Sequence, residues 1–249
     1  MFTTAIQFDQ VEFIYPGQSF PTIYPLQLSI EQGTSFGLFG PNGAGKTTLI
    51  HLMTGLLTPS NGKIHILGEH SLSKNAKKKF GFVPQEYSFY PELSPVENLT
   101  LFGAWSDLTR AMISTRTKEL LNILSLTDVK DKPIYKFSGG MKRRMNLAIG
   151  LIANPPIVFL DEPTVGVDVQ SRNAIISYLK TLNSNGTTLI YTSHQLLEAE
   201  FLCKKIAMID NGKIIAHDDL SQLLVSHQET GLEGLFLQLT GKDLRDSDV

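Results

Sequence analysis

The run Gly40-Pro41-Asn42-Gly43-Ala44-Gly45-Lys46-Thr47-Thr48 leaves this chain few folds to choose from. It has the spacing G-x-x-x-x-G-K-[ST], follows the short apolar segment Ser35 to Phe39, and precedes the helix-like Leu49-Ile50-His51-Leu52-Met53. Strand, glycine loop and helix in that order form a phosphate cradle. Glycines let backbone amides curl around a β-phosphate, Lys46 adds a point charge toward the β- and γ-phosphates, and Thr47 offers a hydroxyl to Mg²⁺. Gly40, Asn42, Gly43, Ala44, Gly45, Lys46, Thr47 and Thr48 are therefore the candidate nucleotide-binding residues.

The rest of the chain reads as a frame for that loop. Apolar residues alternate with polar ones at Ile6, Phe8, Val11 and Phe13 and again at Leu26, Leu28 and Ile30, which predicts antiparallel strands. From about Ser94 to Ala153 strand signals vanish, and Ile113, Leu120, Leu121 and Leu124 fall at helical spacing. Strands return at Ile157 to Leu160, Thr188 to Tyr191 and Ile206 to Ile209, the last joined through Asn211-Gly212 to Lys213 to Ala216 as a hairpin. Leu232, Leu235, Phe236 and Leu239 predict a final amphipathic helix, and the acidic tail from Asp243 is expected to fray. The expected fold is α/β: a P-loop NTPase core with an antiparallel β subdomain and an inserted α-helical subdomain. Residues 1–220 make the nucleotide-binding domain, with the insert at about 94–153, and 221–249 a C-terminal helix and tail.

Several residues outside the loop carry chemistry. Asp161 and Glu162 emerge at the end of the apolar run Ile157 to Leu160, where open α/β sheets place ligands. There Asp161 can hold Mg²⁺ through its water shell and Glu162 can orient and deprotonate an attacking water; alternatively both cap the turn at Pro163-Thr164. Gln85 follows Phe82-Val83-Pro84 and is either a neutral ligand for Mg²⁺ or water, or a solvated polar residue. His194 ends another strand and either bonds a γ-phosphate or serves a structural role. Ser138-Gly139-Gly140, within Ser138 to Arg144, opens a helix with a hydroxyl and unobstructed amides, a second anion site. One nucleotide does not need two.

Composition narrows the partners. With 22 basic and 24 acidic residues, the net charge of -2 provides no field for a nucleic acid backbone. The single cysteine, Cys203, has no disulfide partner, fits a reducing compartment, and reads as a packed small hydrophobe. No apolar run reaches the roughly 18 residues of a membrane span, and Met1 to Ala5 lack the regions of a signal peptide. A membrane role is thus expected to come through a partner.

Together these residues resemble the ATP-binding subunit of ABC transporters, in order and spacing over nearly the whole chain. The resemblance implies that Ser138-Gly139-Gly140 is the signature motif, Gln85 the Q-loop, Asp168 the D-loop and His194 the switch histidine. It implies that Tyr15 stacks on adenine, although a strand-end packing role also suits it. Catalysis falls to Glu162, His194 and Gln85, and Mg²⁺ to Thr47, Gln85 and Asp161. It further implies that the signature of one subunit closes over ATP held by the other in a head-to-tail homodimer. A separate integral membrane permease would hold the pair, cytoplasmic and peripheral, on the inner face of the cell membrane. The chain departs from the usual pattern at Phe137, Met141 and Val167, none of which removes a phosphate-contacting group. With the Ser193 to Glu200 run and Leu235 to Gly241, Met141 makes it most similar to bacterial exporters of drugs, antibiotics or polysaccharides.

Other residues keep two readings. The lysines Lys74, Lys77, Lys78 and Lys79 touch anionic lipid or the membrane partner, or form a solvated loop, the favoured reading. Trp105 meets the membrane subunit or is buried in the core. His51, His65, His70, His217 and His227 share no ligand spacing. Competing functions are an ABC importer, an ABC-type ATPase acting on chromosomes or ribosomes, and a small-molecule kinase. The second usually carries a long coiled coil or two ATP-binding halves, neither visible here. The third has no need of a second glycine-opened helix.

Overall fold

The computed structural model describes residues 3–241, and the acidic tail from Asp243 lies outside them. The alternating N-terminal residues form β1 (Thr4–Phe13) and β2 (Ile23–Glu31), paired antiparallel with Phe8 opposite Leu28 and Phe13 opposite Ile23. The apolar spacing changes phase between Phe8 and Val11, and there the pairing slips at Gln10, whose φ is 50°. That bulge returns Val11 and Phe13 to the buried face.

β3 (Ser35–Phe39) is buried along its whole length and leads into α1 (Lys46–Met53). β4 (Asn61–Ile66) and β5 (Glu69–His70) complete the first sheet in the order β2-β1-β4-β5. Next come α2 (Lys74–Lys77) and β6 (Phe80–Val83). The helical insert consists of α3 (Pro95–Trp105), α4 (Arg110–Ile123) and α5 (Gly139–Leu151). Ser94, Thr109 and Ser138 cap its three helices, and Ser94 forms a reciprocal capping box with Glu97.

The chain then alternates β7 (Ile157–Asp161), α6 (Val169–Ser184), β8 (Thr188–Thr192), α7 (Leu196–Leu202) and β9 (Lys205–Asp210). β10 (Lys213–Asp219) folds back on β9 through Asn211-Gly212, both at positive φ. The second sheet runs β10-β9-β3-β8-β7-β6, parallel except for the β9–β10 hairpin. Successive residues of β7 enter opposite cores: Val158 and Leu160 face the helical side, while Ile157 and Phe159 face the β subdomain. Burial on both faces is why these strands read as unbroken apolar runs.

Three expectations need correction. Trp105 is 61% exposed at the end of α3, edge-on to Phe102 and Tyr90, so it is not a core residue. Lys74 and Lys77 lie in α2, not in a loop, because the Ser73 hydroxyl accepts from the Ala76 amide and caps a turn of helix. Lys78 and Lys79 pair with Asp107 and Glu69 at 2.5 and 3.6 Å. Finally, the segment after residue 219 forms two helices, α8 (Leu220–His227) and α9 (Leu232–Thr240), where the spacing had suggested one.

Candidate functional site

Parallel strands bring their C-terminal ends to one edge, and four of those ends deliver the chemistry. The loop after β3 carries Gly40 to Gly45, β6 leads to Gln85, β7 ends in Asp161 before Glu162, and β8 leads to His194. They meet at a cleft of about 530 Å³. Tyr15, Asn42 to Thr48, Gln85, Glu162 and His194 line it, as does Thr22, which no sequence signal had marked. Gly45 holds φ at 111°, a conformation that frees the first turn of α1 to face the cleft. Gly40 cannot bear a side chain, because a Cβ there would strike the Ile209 carbonyl.

Lys46 is 7% exposed and donates to the carbonyls of Gly40 and Pro41 at 2.7 and 3.0 Å. Burial pushes its pKa down, while the nearby Glu162 and Asp161 charges pull it back up. Beneath the loop, Asp161 is 3% exposed and accepts from the Thr192 hydroxyl at 2.7 Å. Burial raises its pKa above the usual carboxylate range, opposed by that hydroxyl and reinforced by Glu162. Thr192 was missed in the sequence, because only the β7–β8 register, which sets Asp161 opposite Thr192, brings the two together.

Glu162 has φ 50°, a left-handed backbone that a non-glycine residue adopts only under outside constraint. Its amide supplies part of that constraint by donating to both the carbonyl and the hydroxyl of Thr192 at 3.2 and 3.1 Å. The carboxylate is then gripped from two sides. His194 Nε2 lies 2.6 Å from Oε1, and Gln85 Nε2 donates to Oε2 at 3.2 Å. Tyr15 enters from β1's end, its hydroxyl 3.2 Å from that of Thr48 and its ring edge-on to Phe13 at 4.7 Å. It both lines the cleft and packs at the strand end.

Ser138, Gly139, Gly140 and Asp168 are absent from the lining of that cleft. They gather elsewhere: a Cβ on Gly140 would lie 3.0 Å from Asp168 Oδ2, and one on Gly139 3.5 Å from the Gly166 carbonyl. Ser138 accepts from the Met141 amide and caps α5, and Asp168 accepts from the Ser171 amide and caps α6. Those bonds hold the Asp168 carboxyl below the usual range. Ser138, Gly139 and Asp168 are exposed. The departures beside them turn inward: Phe137, Met141 and Val167 all pack on the helical-side core. Cys203 is buried there too, and burial pushes its thiol pKa up, as befits an inert packing residue.

A family profile described as ABC transporter matches residues 23–165. Linearmycin resistance ATP-binding protein LnrL of Bacillus subtilis is 45% identical over 77% of this chain, and a Nod factor export ATP-binding protein I of Cupriavidus metallidurans 40% over 81%. The matches span 62% and 67% of those relatives' own lengths. A solved structure of an ATP binding subunit of an ABC transporter superposes with TM-score 0.86 at 25% identity, covering 94% of this chain and 99% of that one. A dimeric ATP-binding cassette in a post-hydrolysis state, bound to ADP and Pi, gives 0.79 at 25%, covering 86% and 98%.

Proposed function

This chain belongs to the ABC transporter family, and from that premise we propose that it is the ATP-hydrolysing subunit of an exporter, driving substrate through a partner membrane permease. The observation that carries the proposal is the convergence of Lys46, Thr47, Gln85, Glu162 and His194 on one cleft, with Glu162 held by His194 at 2.6 Å. Amides of Asn42 to Thr48 and the Lys46 ammonium take the β- and γ-phosphates, and Tyr15, which also lines the cleft, takes the adenine. Glu162 accepts the proton of the attacking water; His194 fixes the carboxylate and faces the γ-phosphate.

The donor set around Lys46 suits Mg²⁺. Thr47, Gln85 and Asp161 offer hard oxygen atoms and a single anion, and no cluster of three or more His, Cys, Asp or Glu residues poised for a metal occurs among the described residues. Such a set favours an ion completed by water and phosphate oxygens. Bound there, Mg²⁺ would neutralise charge on the transferring phosphoryl group.

Ser138-Gly139-Gly140 and Asp168 are the closing half of a site on a second copy. The exposure of Ser138, Gly139 and Asp168 away from the cleft, and the dimeric relative, support that reading. ATP binding closes the head-to-tail pair, and hydrolysis with phosphate release reopens it. No helix among the described residues is long and apolar enough to cross a membrane. In the proposed assembly the permease carries translocation and this subunit sits at its cytoplasmic face. Importers share the same chemistry; the names of the relatives favour export. Glu162→Gln should bind ATP normally, form a stable ATP-bound dimer and lose turnover by about 10²–10⁴-fold. Unimpaired hydrolysis would remove Glu162 from its role.

A further inference from the structure

Lys142-Arg143-Arg144 follows the glycine-opened start of α5, and nothing above gives Arg143 a task. It is 5% exposed, as deep as many core residues, although it carries a full charge. Its Nη1 donates to the Gln85 carbonyl at 2.7 Å and toward that of Pro84 at 3.5 Å. Its Nη2 donates to the Val165 carbonyl at 3.4 Å, in the loop between Glu162 and Asp168. The guanidinium lies over the Tyr87 ring, 5.1 Å from its centroid.

One turn further along α5, Asn146 is fully buried and bonded through both ends of its amide. Nδ2 donates to the carbonyls of Pro84 and Glu86 at 3.0 and 3.3 Å, and Oδ1 accepts from the Ser88 amide and hydroxyl at 2.9 and 2.8 Å. Two side chains of one helix thus touch every residue from Pro84 to Ser88. Arg144, on another side of α5, donates to the Leu124 carbonyl at 2.8 Å and ties α5 to the end of α4.

We propose that Arg143 and Asn146 are positioning residues that clamp the Gln85 segment to the helix opened by Ser138, so that the two move as one piece. A helix is stiff over the two turns from Ser138 to Asn146, about 12 Å at 1.5 Å per residue. A shift of Gln85 at its own cleft is then carried to Ser138, which serves the facing copy's site, while the Val165 bond draws the Asp168 loop along. Buried, multiply bonded polar groups of this kind hold one geometry, because any partial loosening strands them without water. The inference rests on the two-copy ATP site proposed above, but its physical part stands without nucleotide.

Two measurements on the full chain test it. Arg143→Met fills the same space without the fork; hydrogen exchange without nucleotide should speed up at the Ser88 amide, which Asn146 holds, by about tenfold or more, with the β1–β2 sheet unchanged. In steady-state assays kcat should fall about tenfold or more, with KM for ATP within about twofold. Arg143→Lys keeps the charge but cannot reach the Gln85 and Val165 carbonyls together, so it should restore thermal stability but not turnover. Unchanged exchange at Ser88 overturns the clamp, and so does wild-type kcat in either variant. A general loss of protection with ATP affinity falling in step with kcat also overturns it, by reducing Arg143 to a structural residue. If the wild-type chain binds no ATP, the nucleotide reading fails, while the exchange arm still decides the clamp.

Discussion

The phosphate-loop half and the glycine-opened α5 half of this molecule are both built to bind anions, yet they are finished to different degrees. Around Lys46 four strand ends supply the loop, Gln85, Glu162 and His194; Glu162 is held by His194 and Gln85, and Lys46 by carbonyls of the loop. Around Ser138 the helix start is capped, Ser138 and Gly139 are exposed, and Asp168 lies beside it. A site complete within one chain can be recognised from side chains alone. On the reading proposed above, the Ser138 motif is one half of a site whose other half lies on a second copy.

The sharpest way to break this contrast is to damage each half separately. Lys46→Ala should abolish ATP binding, whereas Ser138→Arg should leave it intact and lower turnover by about 10²-fold or more, read by calorimetry and phosphate release. Mixing the two inactive variants should restore activity, because a mixed dimer pairs one intact loop with one intact signature. About a quarter of wild-type turnover is expected, from half the dimers being mixed and one of two sites being whole. No recovery would return the Ser138 motif to its own chain.

His194→Ala should cost about 10²-fold in kcat with little change in ATP affinity, since it removes the 2.6 Å partner of Glu162 and leaves Lys46 alone. A loss confined to affinity would assign His194 to binding. A smaller effect belongs to stability. Asp161 has its pKa raised by burial, so the folded state holds its proton more tightly than the unfolded chain does. That contribution to stability is complete below the ordinary aspartate pKa and is lost as pH rises through the raised folded value. Asp161→Asn should therefore raise the nucleotide-free Tm at pH 7 by about 2–4 °C for each kcal/mol relieved, and have no such effect at low pH. A lower Tm at pH 7 would contradict the burial cost.

The smallest change tests the glycine-opened half. Gly140→Ala sets a methyl 3.0 Å from Asp168 Oδ2 and 3.2 Å from Ser171 Oγ. ATP binding should be unchanged while nucleotide-driven dimerisation, followed by sedimentation in a Glu162→Gln background, weakens by about 1 kcal/mol. Equal dimerisation would mean that the α5 start does not meet a partner.

Much of the loop half was legible because its signals are local. Gly40 to Thr48, the apolar run before Asp161 and the dipeptide turn at Asn211-Gly212 each carry their meaning within a few residues, through backbone freedom, burial or turn chemistry. The parts that escaped notice depend on register and packing. Thr192 matters because it lies opposite Asp161, and Glu198 because Thr164, Tyr191 and Arg172 all converge on its carboxylate. Trp105 lies in a hydrophobic stretch and is nonetheless exposed, because α3 ends there and turns it outward.

By itself, then, the amino-acid sequence determined the α/β frame and the phosphate loop. Short-range propensity and periodicity suffice for that. Only the tertiary structure decided which residues share a cleft. Glu162 is held between Gln85 and His194 by the order of four parallel strands, and Arg143 and Asn146 reach across to the Gln85 segment from a helix far along the chain. Those contacts depend on where the chain returns in space, which no window of sequence records.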